Sequence, residues 1–130
     1  MSDGARFARR VFGAAGIYGI VCLLPMYFVE GYLGQVFPPP VTHPEFFYGF
    51  AGVALAFQVL FLLVARDPVR HRDMMIPSIM EKLGYGLAVV VLVTIGRTAA
   101  GMLPTALIDL ALAVLFAMAW MRTGDSGPSN

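Results

Sequence analysis

A chain of 130 residues suffices for one domain, and its 58% hydrophobic content is more than a soluble domain of that size hides from water. The net charge of +1 comes with no basic patch interleaved with aromatics, which argues against nucleic-acid binding. The lone cysteine, Cys22, sits in an apolar run and has no second cysteine to pair with inside the chain.

Four apolar runs predict an all-α fold, a four-transmembrane-helix antiparallel bundle, because a hydrocarbon core about 30 Å thick takes about 20 helical residues. The first run, 11–28, is free of charge, and Pro25 predicts a kink within it. An export signal is the alternative for this segment, which follows Arg9 and Arg10. The run exceeds the ~7–15 residues of a signal's apolar region and lacks a small-residue cleavage site, so it is read as a retained helix.

In the loop that follows, Pro38, Pro39 and Pro40 make a stiff extended segment. The second run, 46–65, starts after Thr42-His43-Pro44-Glu45, and the third, 79–95, opens at Ser78-Ile79-Met80-Glu81. Both match a capping box, in which a hydroxyl and a carboxylate three residues apart satisfy the first free amides of a helix. Between these runs, Asp67-Pro68 predicts a short interfacial helix over 68–75. Gly101 and Pro104 mark the tight connection into the fourth run, 105–121. Together the runs make a single membrane domain over 1–123, and the polar residues 124–130 read as a disordered tail.

Basic residues orient the bundle. Arg6, Arg9, Arg10, Arg66, Arg70, Arg72, Lys82 and Arg122 fall at one end, and only Arg97 falls at the other. That bias predicts an N-in, C-in topology. Each run also offers a pair of small residues four apart: Ala15/Gly19, Gly52/Ala56, Gly84/Ala88 and Ala113/Ala117. Such pairs let backbones approach closely in lipid, where no hydrophobic force drives helices together. Polar residues form stripes at helical spacing: Thr105, Asp109, Ala113 and Ala117; Glu81, Tyr85 and Ala88; and Gln58 with Ala51, Ala54 and Leu55.

Asp109 is the sharpest functional clue. An aspartate at mid-membrane costs about 2.5–3.5 kcal/mol on insertion scales and so demands a partner. Arg97, returned to the same half by the last hairpin, is the expected partner in a clamp; the functional alternative makes Asp109 a proton carrier or ligand contact. Glu81 reads first as a helix cap, and alternatively as part of a polar site with Tyr85 and Gln58. Glu30, His43 and Glu45 lack the spacing of a metal site. No phosphate loop, paired-cysteine motif or nucleophile elbow occurs, so neither a catalytic residue nor a cofactor is assigned and the enzyme reading is weak.

The stretches Thr42-His43-Pro44-Glu45-Phe46-Phe47-Tyr48-Gly49-Phe50, Arg66-Asp67-Pro68-Val69-Arg70 and Glu81-Lys82-Leu83 resemble small bacterial integral membrane proteins of unassigned function. The four-helix layout is similar to that of DoxX-like proteins. The resemblance implies a multi-pass protein of the bacterial cytoplasmic membrane and transfers no catalytic residue.

Two functional readings follow. The first is a small structural or accessory subunit in the lipid bilayer, docking a membrane-protein partner or a second copy of itself. The alternative is a bundle that binds a lipid or quinone-like molecule, with Asp109, Arg97, Glu81, Tyr85 and Gln58 as its polar contacts. Transport is a third and weaker reading, since one deep carboxylate without an inverted repeat makes a poor relay.

Overall fold

The computed structural model describes residues 1–124, which fold entirely into helices and connections with no strand among them. In chain order the helices are α1 (Asp3–Leu23), α2 (Glu30–Val36), α3 (Pro44–Arg66), α4 (Met75–Thr94) and α5 (Leu103–Gly124). All but α2, counted with the 3-10 turns that flank them, are long and apolar enough to cross a membrane. The chain is a multi-pass membrane protein. Gly124 belongs to α5, and the rest of the tail expected to be disordered lies outside the described residues.

Every long helix outruns the apolar run that announced it. In α1 the extra length comes first: the Ser2 hydroxyl caps the helix by accepting the Ala5 amide at 3.1 Å, and Asp3 pairs with Arg6. Ala5, Ala8 and Phe12 continue the buried face into this charged segment, while Arg6, Arg9 and Arg10 turn outward. Counting apolar residues misses such a turn because only one face of it is apolar. Pro25, which has no amide hydrogen to donate, tightens the end of the first span into a 3-10 turn over Leu24–Phe28.

Neither expected capping box forms. The cap residue of α3 is His43 rather than Thr42, with Pro44 in the first turn, and the amides of Phe46 and Phe47 go to the His43 carbonyl. Helix α4 begins at Met75, a full turn before Ser78, so Ser78 donates to the Met74 carbonyl at 2.7 Å and Glu81 lies inside the span. The expected helix over 68–75 is a turn followed by the 3-10 segment Arg72–Met74, opened by Asp67 accepting the Arg70 amide at 3.2 Å. The short helix α2 was not foreseen; its Glu30 accepts from the Tyr48 hydroxyl at 2.8 Å.

Helix α1 packs against both α3 and α5, and α4 packs against α5, but α3 and α4 barely meet. The ring of helices is therefore ajar along one seam. Close approach explains the tight pairs. A side chain at Gly19 would overlap the Gln58 carboxamide of α3, and one at Gly86 of α4 would meet Leu110 of α5 at 2.7 Å. Ala15/Gly19 serves packing as expected, whereas Gly52/Ala56 and Gly84/Ala88 face outward. The buried stripe of α4 is Met75, Ser78, Lys82, Gly86 and Val89, rotated from the expected Glu81, Tyr85 and Ala88 face. Glycines at both 84 and 86 leave sequence spacing unable to choose between the two faces.

The core fills the end of the bundle that holds the chain's N-terminus and the end of α5. Phe12 and Phe116 stack with ring centroids 4.0 Å apart, and Phe61 meets Phe116 edge-on at 5.0 Å. Ala8, Ala15, Val64, Ala65, Met75 and Ala119 close around them. At this end arginines also bind the last carbonyls of helices. Arg9 donates to the carbonyls of Ala65 and Arg66, each at 3.1 Å, and Arg72 donates to that of Trp120 at 2.9 Å. A cation on the negative end of a helix dipole is favourable, so these basic residues serve the fold as well as its orientation.

Candidate functional site

Beyond the aromatic core the interior changes character. Lys82 is 3% exposed, and its Nζ lies 3.3 Å from Oδ1 of Asp109 and 3.6 Å from Oε2 of Glu81, with the Phe61 ring 5.3 Å beneath it. Lys82 is seven residues into α4 and Asp109 six into α5, roughly 10 Å from the respective helix starts. Both are well within the spans. Two carboxylates and one ammonium thus share a setting where an unpaired charge is strongly disfavoured.

The expected Asp109–Arg97 clamp is not formed, because Lys82 takes the place assigned to Arg97. The end of α4 gives the reason. Gly96, at φ +77°, donates to the Val93 carbonyl at 3.0 Å, and the Arg97 amide donates to that of Leu92 at 2.8 Å. This pair of bonds is a Schellman motif, in which a left-handed glycine ends the helix and sends the next residue away from its axis. Arg97 is accordingly exposed.

Polar side chains continue outward from the ion cluster. The Tyr85 hydroxyl is 2.8 Å from that of Thr105, which donates to the Met102 carbonyl at 2.7 Å. Gln58, only 1% exposed, donates through Nε2 to the Ala54 carbonyl at 2.8 Å, while its Oε1 has no hydrogen-bond partner. These groups and the cluster line one cavity of about 560 Å³. Its wall is otherwise mainly apolar, with Phe47 and Phe50 of α3 on one side and Leu23 and Met26 of the first span on another. The α2 residues Leu33 and Gly34, with Phe37–Pro39 beyond them, cover the end away from the aromatic core.

A second hollow of about 470 Å³ lies in the seam between α3 and α4. It shares Phe50, Ala54, Glu81 and Tyr85 with the first cavity, and the Phe50 and Tyr85 rings stack across the seam at 5.6 Å. Neither Gly49 nor Gly84, which line this hollow, has any neighbour within 4 Å of where a side chain would begin. The interior thus approaches the lipid-facing surface of the bundle along the seam.

Of the five residues singled out from sequence, the cavity brings together Asp109, Glu81, Tyr85 and Gln58 and leaves out Arg97. Lys82 is the central residue that sequence reasoning missed, having been counted with the basic loop residues. Its four-residue spacing from Ser78 and Gly86 puts it on the buried face of α4, a face that spacing alone could not prefer over the one through Gly84.

Comparison of the chain with protein-family models, with curated proteins and with solved structures finds no match.

Proposed function

We propose that this protein binds an amphipathic hydrophobic molecule, lipid- or quinone-like, within its helix bundle. The observation that carries the reading is an ion cluster at the base of a largely apolar cavity of about 560 Å³. That volume falls in the range of about 300–1,000 Å³ typical of small-molecule sites, and a few convergent polar groups in an apolar wall are their usual chemistry. The head group lies near Glu81, Lys82 and Asp109, and the apolar body fills the space beside Phe47 and Phe50. Exchange with the bilayer runs through the seam between α3 and α4.

In this reading the end bearing the N-terminus and the end of α5 faces the cytoplasm, since Arg6, Arg9, Arg10, Arg66, Arg70, Arg72 and Arg122 gather there. The bacterial cytoplasmic membrane is the proposed location, in keeping with the DoxX-like layout. Native mass spectrometry of the gently extracted protein tests the reading. A stoichiometric small molecule is expected on the wild-type chain, and it should be lost when Ala54→Trp fills the cavity. A wild-type chain that arrives bare from several mild detergents and takes up no added amphiphile argues against it.

An accessory-subunit role is the second reading. It is favoured by the outward-facing pairs Gly52/Ala56 and Gly84/Ala88, which suit close approach by another helix. A defined oligomer or a co-purifying membrane polypeptide, disrupted by Gly52→Leu, would support it.

A further inference from the structure

We infer that Phe50 is the gate between the bilayer and the cavity, its ring swinging away from a Tyr85 ring that stays in place to let an apolar molecule pass. This rests on the ligand-binding reading above and adds how entry is controlled.

Four residues stand between the seam hollow and the cavity, since Phe50, Ala54, Glu81 and Tyr85 line both. Three of them are held. Ala54 is 4% exposed and carries only a methyl group, which no rotation moves aside. Glu81 is ion-paired with Lys82 at 3.6 Å. The Tyr85 hydroxyl donates to that of Thr105, 2.8 Å away on α5, because Thr105 gives its own hydrogen to the Met102 carbonyl. Phe50 has no polar atom to tether it. Its ring meets α4 in the stack on Tyr85, with the two planes 24° apart, and the side chain is 40% exposed.

Room to turn is present. A helical phenylalanine has two χ1 settings open to it, at about 180° and about −60°, so a single rotation takes the ring off Tyr85. No atom lies within 4 Å of where a side chain would begin at Gly49 or Gly84, the residues next to the stacked pair. Along the seam α3 and α4 barely meet, so the rotation breaks one ring contact and disturbs no packed helix pair. The far end of the cavity is closed more firmly. There Phe37 lies so near Gly101 that a Cβ on the glycine would meet its ring at 3.0 Å, and the Tyr48 hydroxyl ties Glu30 of α2 to α3 at 2.8 Å.

Alkylation of a thiol inside the cavity tests this in phosphatidylcholine vesicles, with N-phenylmaleimide as the apolar probe. Leu23→Cys puts the thiol on the cavity wall outside the seam hollow, in a chain whose own cysteine is removed by Cys22→Ser. Gln58→Cys in the same background is a second reporter, should the first not fold. The rate is read from intact mass over time. Phe50→Ala is expected to raise it about tenfold, in line with the loss of one ring contact. Gly84→Leu, which fills the seam hollow, should lower the rate and should also reverse the rise in the Phe50→Ala chain, which a mere loosening of the bundle would not allow. Tyr48→Phe, which frees α2, should leave the rate as it is. A rate that neither Phe50→Ala nor Gly84→Leu changes overturns the gate, as does one that rises with Tyr48→Phe alone; both outcomes leave the cavity reading intact. If neither thiol reacts even in the Phe50→Ala chain, yet both react once it is unfolded, no apolar molecule reaches the cavity and the ligand-binding reading itself falls.

Discussion

The two ends of this bundle are built on opposite terms. At the end holding the chain's N-terminus, Phe12, Phe61 and Phe116 interlock and alanines let the helices close around them. At the other, a wider interior is walled by side chains from every long helix and covered by α2 and the proline segment. Lys82, with the Phe61 ring beneath it, marks the boundary. Lipid offers no hydrophobic reward for bringing helices together, so packing and polar contacts must do it. Concentrating them at one end leaves the other free to stay hollow.

The comparison breaks most visibly at the boundary. Lys82→Met leaves Glu81 and Asp109 without their shared counter-ion, and a buried pair stripped of one partner loses about 3–5 kcal/mol of stability. Unfolding by increasing sodium dodecyl sulfate in mixed micelles measures the loss. Adding Asp109→Leu should recover a large part of it, because the second change removes a stranded charge. If Lys82→Met is no less stable than wild type, the ion cluster is not what fixes α4 against α5 at this level.

The next effect separates the two ends directly. Phe61→Ala opens a void in a tightly filled region and is expected to destabilise by about 3 kcal/mol. Phe47→Ala removes a side chain of the same size from the wall of an existing cavity, and a change of under about 1 kcal/mol is expected. The same titration applied to both compares them. Equal losses would mean that the wide end is as structurally committed as the packed one.

Much of this architecture was legible in the sequence, and the failures share a cause. Four spans and the buried face of Ala51, Ala54 and Gln58 follow from length, apolar continuity and four-residue spacing. Helix starts did not follow, because Thr42 and Ser78 have the right chemistry one position early and a turn late respectively. Charge was misplaced for a related reason. A lysine near the edge of an apolar run looks like a loop residue until the preceding turn, Met75–Ser78, is known to be helical. Glu81, Tyr85, Gln58 and Asp109 could be named as polar residues in spans, but which of them met depended on the rotation of α4. That rotation is set by Gly86 against Leu110, a contact with no local signature.

The smallest expected effect carries the sharpest discrimination. Arg97 was the partner expected for Asp109 and Lys82 is the one found, and the two differ in what the backbone allows. The glycine turn at Gly96 directs Arg97 outward, whereas Lys82 lies on the buried stripe of α4. Arg97→Ala should therefore change stability by no more than about 0.5 kcal/mol, as for an ordinary surface substitution. In a double-mutant cycle its effect should add to that of Asp109→Asn, while Lys82→Met and Asp109→Asn should couple strongly. Coupling between Arg97 and Asp109 of more than about 1 kcal/mol would restore the clamp and mean that the last hairpin closes further in the membrane. Additivity there, with coupling at Lys82, assigns the membrane-buried carboxylate to the cavity rather than to the hairpin.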